Sequence, residues 1–279
     1  MKISLIIPTY NEESVVLDCL KSLDGQSLKG FEVLVVDDGS NDKTVEKVKS
    51  YKAKNYELIL LSSKHLGPGG ARNIGAKKAG GQILVFVDSD MTFDKDFVKK
   101  ITYPIAKGET KGTFSKEEIV SNWDIVWARC YSQNENWEEK RRHPKNYPDK
   151  QKVFRAILKS EFEKVGGFTP GGYNDDWSLS EKLGYEADNA EGAIFYHKNP
   201  ESLEEIFNHA QWVGKRKYKL GKLGFIAGLA RVSFPVSVIV GIYKSIVFKN
   251  PHFLVFKIVF DFGIFVGIIK YMLSGKGYK

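Results

Sequence analysis

Residues 85–93 read VFVDSDMTF. The run is apolar through Val87 and then meets two acids, Asp88 and Asp90, with one serine between them. A short strand that is apolar throughout is buried on both faces, as in a parallel sheet covered by helices. In such sheets ligands bind beyond the carboxyl ends of the strands. Two carboxylates at that end therefore sit where chemistry is expected. Alone, the Asp-X-Asp pattern also suits a turn or a cap, so its weight depends on what else reaches the same edge.

Three further apolar runs precede it: ISLIIP, FEVLVVDD and YELILLS. Between them lie helical patterns. NEESVVLDCLKSL spaces Val16, Leu20 and Leu23 on one face, NDKTVEKVKSY has Asn41 or Asp42 available as a cap, and GGARNIGAKKAGG is bounded by glycines. This βαβαβαβ alternation predicts an α/β fold with a Rossmann-like, mostly parallel sheet. Polar clusters end three of the strands: Thr9-Tyr10-Asn11-Glu12, Asp37-Asp38-Gly39-Ser40 and Asp88-Ser89-Asp90. Acids tens of residues apart are thereby expected to converge on one edge.

The 279 residues carry a formal charge of +8, which suits nucleic acid, anionic lipid or a phosphorylated small molecule without choosing among them. A nucleic-acid binder would need its cations in a stripe with exposed aromatics, and the basic cluster here adjoins apolar helices instead. Cys19 and Cys130 lie far apart, with neither metal-type spacing nor a disulfide framework. The opening MKISLIIP meets Pro8 too soon for a signal peptide and reads as a first strand. Further on, NENWEEKRRHPKNYPDKQK is a polar loop or lid, and GAIFYH is the last strand expected. Trp177 to Leu183 has helical spacing, which sets Asp175 and Asp176 at a helix start. Trp123, Trp127, Tyr173 and Trp177 are candidates for a stacking platform, with core packing as the competing role.

Hard divalent cations prefer carboxylate oxygen, and Mg²⁺ or Mn²⁺ commonly pairs one or two carboxylates with substrate phosphates. PTYNEE, VVDDGSNDKT, GPGGARNIG and VDSD follow one another in order, each at a strand end or helix start. Over roughly residues 2 to 200 this set resembles the family 2 glycosyltransferases with the GT-A fold. The resemblance implies an inverting enzyme that moves a sugar from a nucleotide-diphosphate donor with a divalent cation, Mn²⁺ or Mg²⁺. It implies that Thr9 and Glu12 contact the nucleoside and that Asp37, Asp38 or both bind base or ribose. Arg72 would approach base or phosphates, Asp88 ribose or metal, and Asp90 would be the main metal ligand. GGYNDDWSLSEKL is similar to the family segment carrying the catalytic base, which makes Asp176 the base and Asp175 the occupant of the usual Glu position. His197, after the last strand, is a further candidate for metal or phosphate. Gln211, Trp212 and Arg216 differ in order and spacing from the motif of processive polymer synthases in this family.

From about residue 212 the composition changes. Lys215, Arg216, Lys217, Lys219 and Lys222 precede two apolar stretches, 232–248 and 253–269, joined by the turn signal KNPH. Each stretch is near the lower length limit for crossing a bilayer. Lys257 and Asp261 are spaced to pair on one helix face, and Ser233, Ser237, Gly241 and Lys244 form a polar stripe. A basic run beside apolar helices favours the cytoplasmic face of a membrane, peripherally or through these helices. A homodimer built on the helices competes with that reading. The expected division is residues 1–222 as the GT-A domain and 223–279 as a membrane-associated hairpin. The expected acceptor is a hydroxyl of a lipid-linked sugar or glycolipid. A polyprenyl-phosphate sugar synthase, a nucleotidyltransferase and a non-catalytic membrane scaffold are the rival functions.

Overall fold

The computed structural model describes residues 1–170, 175–215, 218 and 221–275, so Tyr173, Arg216, Lys217 and Lys219 lie outside the described residues. The chain forms two compact units. The first takes in residues 1–119 and 146–197, the second 120–145 and 198–279. The second unit thus includes 120–145 and 198–222 as well as the apolar C-terminal stretches.

The first unit begins with β1 (Ile3–Thr9), α1 (Val16–Asp24), β2 (Glu32–Asp37), α2 (Thr44–Ser50), β3 (Glu57–Ser62), α3 (Gly67–Lys78) and β4 (Ile83–Phe86). There follow β5 (Met91–Phe93), α4 (Phe97–Ala106), β6 (Gly112–Phe114) and β7 (Glu118–Val120). After α5 (Val126–Asn134), which belongs to the second unit, the chain continues with β8 (Lys150–Gln151), β9 (Ala156–Leu158) and α6 (Lys159–Lys164). A short 3-10 turn, Asp175–Trp177, leads into α7 (Ser178–Leu183), and β10 (Ala187–Asn189) and β11 (Phe195–His197) finish the unit.

The main sheet has eight strands in the order β3-β2-β1-β4-β9-β6-β10-β8. Its first four are parallel, as the apolar runs predict. β9 then runs antiparallel between β4 and β6, so the sheet is mixed. Side-chain alternation divides the core in two. Leu5, Ile7, Val33, Val35, Ile83 and Val85 face one side with α1 and α4 residues such as Leu20 and Ile101. Ile6, Leu34, Val36, Leu84 and Phe86 face the other with Ala71 and Ala76 of α3 and Leu179 of α7. Burial on both faces is what removes polar residues from these strands and leaves them for the strand ends. β5, β11 and β7 form a separate three-stranded sheet, which receives the predicted GAIFYH strand.

The second unit joins α5 to α8 (Leu203–Gly214), α9 (Gly221–Arg231), α10 (Phe234–Val247) and α11 (His252–Ser274), with α11 packed against each of the others. Its core joins Cys130, Tyr131, Ile206, Ala210, Phe253, Phe256 and Phe260. α8 and α11 approach backbone to backbone, and a Cβ at Gly263 would lie 2.6 Å from the Phe207 carbonyl oxygen. The Lys257–Asp261 pair forms at 2.7 Å, and Ser237 Oγ donates to the other Asp261 oxygen at 2.7 Å. The polar stripe of α10 thus faces α11, while Ile239 and Ile246 point outward, 67% and 73% exposed. By length and composition α11 suffices to cross a bilayer, and α9 with α10 qualifies only as one span bent by 49°.

Candidate active site

The parallel register puts Thr9 beside Asp37, and Asp37 beside Ser62, at the carboxyl edge of the sheet. The loops after β1 and β2 are laced together there. Ser40 Oγ accepts from Asn11 N–H (2.9 Å), Asn11 Oδ1 from Asn41 N–H (2.8 Å), and Thr44 Oγ1 from Glu12 N–H (2.8 Å). Asp42, one of the two expected caps, accepts from Thr44 N–H at 2.9 Å at the start of α2.

A cavity of about 280 Å³ opens over this edge. Thr9, Glu12, Asp38, Asp88, Asp90 and His197 all line it, so six expected site residues meet in one place. Tyr10 and His65 add a pair of rings with centroids 4.3 Å apart. The two rings are tilted by 40° and give the cavity an aromatic wall, and the sequence motifs assigned neither a site role. Asp37 does not line the cavity. Its carboxylate accepts the Gly39 and Ser40 N–H groups and closes the turn. Asp38 accepts from Leu66 and Gly67 N–H at 2.8 Å each, and from the Ser63 hydroxyl. It thereby fixes the start of α3.

Arg72 connects the two acid clusters. Its guanidinium is buried, donates to Asp88 Oδ1 at 2.7 Å, and pairs with Asp176 Oδ1. Asp88 Oδ2 is held by Arg155 at 3.2 Å. Burial pushes the Asp88 carboxyl up, but Arg72 and Arg155 prevail and hold it well below the usual carboxylate range. Both Asp88 oxygens are therefore committed to guanidinium groups. Arg155 carried no sequence signal; its backbone bonds to Phe86 and Thr113 carry it between β4 and β6.

Asp175 and Asp176 diverge. Asp175 is buried, and its Oδ2 accepts the Gly69 N–H at 2.8 Å, an otherwise orphaned donor in the first turn of α3. A Cβ at position 69 would meet that same oxygen at 2.8 Å, which is why glycine stands there. Burial and the neighbouring Asp176 raise the Asp175 carboxyl above its ordinary value. Asp176 is half-exposed, and its Oδ2 has no hydrogen bond among the described residues. Trp177 beside it is 42% exposed, with Lys152 Nζ 5.5 Å from its ring centre. Trp123 and Trp127 belong to the second unit.

His197 Nε2 meets Asp90 Oδ2 at 2.7 Å, and its Nδ1 meets Glu118 Oε1 at 3.0 Å. The other Asp90 oxygen, Oδ1, is buried without a hydrogen-bond partner. A buried carboxylate oxygen left without a donor fits a hard cation. Among the described residues no three His, Cys, Asp or Glu side chains form a ready-made metal cage. The donor set suits Mg²⁺ or Mn²⁺ completed by substrate phosphates, with Asp90 as the carboxylate and His197 beside it. Burial, then Asp90, Asp88 and Asp42, raise the Glu12 carboxyl from 4.5 to about 7.

The sequence model of Glycosyl transferase family 2 matches residues 4–172, more than half of the chain. The chain belongs to that family. Poly(ribitol-phosphate) beta-N-acetylglucosaminyltransferase TarS of Staphylococcus aureus is 42% identical over 102 residues, 36% of this family 2 chain and 18% of TarS. Glycosyltransferase GlyA of Streptococcus pneumoniae is 31% identical over 135 residues, 48% of this chain and 18% of GlyA. The matched segments thus span less than a fifth of these curated relatives. Among solved structures, S. aureus TarS 1-349 in complex with UDP-GlcNAc superposes with a TM-score of 0.54 at 18% identity, covering 100% of this chain and 93% of that one. Mannosyltransferase PcManGT from Pyrobaculum calidifontis, in complex with GDP-Man and Mn²⁺, gives 0.61 at 16% identity, covering 99% and 88%. At such identities the likeness establishes the fold, which is the GT-A type expected of a family 2 member.

Proposed function

We propose that this chain is an inverting glycosyltransferase that moves a sugar from a nucleoside-diphosphate sugar to an acceptor hydroxyl. The observation that carries the reading is the ion-paired series Asp88, Arg72, Asp176, in which one guanidinium joins a donor-side acid to a half-exposed carboxylate, with Asp90 lining the same cavity as Asp88. Asp176 acts as general base, with Oδ1 anchored by Arg72 and Oδ2 offered to the acceptor hydroxyl. Asp88 organises Arg72 and Arg155 rather than binding metal. Asp90 holds the divalent cation with His197, and that cation, when bound, neutralises the charge growing on the departing diphosphate. Thr9, whose buried Oγ1 has no partner, Glu12 and the Tyr10–His65 rings receive the nucleoside. Asp38 shapes that wall through α3, and Asp37 holds the turn behind it. Asp175 positions Asp176 and is not itself the base.

Residues 1–222 form the catalytic domain in this reading, and 223–279 attach it to the cytoplasmic face of a membrane through the apolar faces of α10 and α11. The acceptor is accordingly a lipid-linked sugar or glycolipid. The names of TarS and of a Bacillus spizizenii poly(ribitol-phosphate) beta-glucosyltransferase, 40% identical over 95 residues, favour a second acceptor, a polyol-phosphate polymer. The test is transfer from a panel of UDP and GDP sugars to lipid-linked and polymer acceptors, with the product's anomeric configuration read by NMR. Inversion, lost in Asp176→Asn while nucleotide binding persists, is expected. Retention of configuration, or full transfer by Asp176→Asn, would overturn the proposal. The latter result would point to a phosphate acceptor that needs no base.

A further inference from the structure

The second unit contains a larger cavity, about 680 Å³, built from its own residues at the turn between α10 and α11. It shares no residue with the cavity over the sheet edge. Trp123 and Trp137 supply aromatic wall, and Arg129 and Lys249 bring two fixed positive charges against one carboxylate, Glu139. Arg129 is braced, with Nη1 donating to the Trp123 and Asp124 carbonyl oxygens at 3.0 and 2.9 Å. Its remaining N–H groups have no hydrogen bond among the described residues. Asn250, also in the wall, is buried, and its Nδ2 donates to Gln133 Oε1 at 3.0 Å. That bond fixes the Gln133 amide and leaves its Nε2 as a donor. Lys249 adopts φ 52° at the turn, a left-handed conformation that glycine or asparagine takes at lower cost. Turn chemistry therefore does not account for a lysine there.

Aromatic faces beside charged and amide donors are what a polyol or sugar bearing a phosphate requires: C–H faces on the rings, oxygens on the guanidinium and ammonium. We propose that this cavity is a second binding site, for a phosphate ester of a polyol or sugar, separate from the donor site and independent of the transfer reaction proposed above. Lipid headgroups and soluble glycan phosphates share that chemistry. The cavity's place at the turn of a hairpin with an apolar outer face makes both reachable.

The test uses the full chain with glycerol 3-phosphate as soluble probe, read by ³¹P NMR line broadening. Vesicles of phosphatidylcholine with and without phosphatidylglycerol are read by flotation. Lys249→Gln, at an exposed position that leaves the fold intact, and Arg129→Gln should each weaken probe binding about tenfold, the effect of one charge-assisted contact. Asp90→Asn, in the other cavity, should leave it unchanged. If Lys249→Gln also erases the preference for phosphatidylglycerol, the natural source is a headgroup; if it weakens only the soluble probe, the source is soluble. Probe binding untouched by both variants, or lost only in Asp90→Asn, overturns the inference.

Discussion

The two units break the usual partition of side chains in opposite directions. The first buries charge: Arg72 and Asp175 are buried at the sheet edge, where half-buried Asp88 pairs with Arg72. The second exposes apolar surface: Phe234, Ile239, Ile246 and Leu273 on α10 and α11 are each at least two-thirds accessible. Buried polar groups and exposed apolar patches are the informative departures in a folded chain. In the proposed reading the first is a site for charged ligands and the second a surface for lipid. Stability in the first unit therefore depends on matched charges, and in the second on close helix approach.

The largest effect is expected where the network meets the acceptor. Asp176→Asn should lower the transfer rate about a thousandfold, the middle of the range for a lost general base, with nucleotide affinity nearly unchanged. Gly263→Leu should separate α8 from α11, because its Cβ would collide with backbone rather than a movable side chain. A loss of about 3 kcal/mol in chemical denaturation, confined to the helical unit's transition, is the expected reading. Arg72→Met should cost a comparable or slightly smaller amount, about 3 kcal/mol, by leaving Asp88 with one of its two guanidinium partners. Unlike Gly263→Leu, it should act on the sheet unit's transition.

Smaller effects sharpen the contrast. Ile239→Glu with Ile246→Glu should reduce vesicle binding severalfold in flotation while sparing turnover of a soluble acceptor. Glu12→Gln should show a pH-dependent gain. The folded pKa of Glu12, about 7, lies above its ordinary 4.5, so the folded protein keeps a proton that the unfolded chain has released. Ionised Glu12 thus costs stability above pH 7, and the cost disappears as pH falls below 4.5. Without added metal, Glu12→Gln should raise Tm at about pH 8 and change it little at about pH 4 to 5.

Much of this was legible in the sequence because it is local. Unbroken apolar runs gave away the parallel strands, and their polar ends brought Thr9, Glu12, Asp38, Asp88 and Asp90 to one cavity. The Lys257–Asp261 pair followed from helical spacing. What escaped depends on contacts between distant segments. Arg155 reaches Asp88 only because β9 inserts antiparallel beside β4, and no motif announces that insertion. Glu118 meets His197 across the small sheet. Asp175, in the family's usual Glu position, caps α3 through Gly69, far away in the chain. Adjacent identical acids diverge here because one is aimed at a helix end and its neighbour at Arg72 and solvent.

In the proposed mechanism Asp90, with its unpartnered buried oxygen, builds a cation-dependent site for a nucleotide sugar. The most direct measurement is release of nucleoside diphosphate from a panel of nucleotide sugars, with and without Mn²⁺, by the native chain and by Asp90→Ala. Mn²⁺-dependent release from one donor class, reduced about a hundredfold or more in Asp90→Ala, is the predicted result. Equal release by Asp90→Ala, or release undiminished by a chelator, would contradict it.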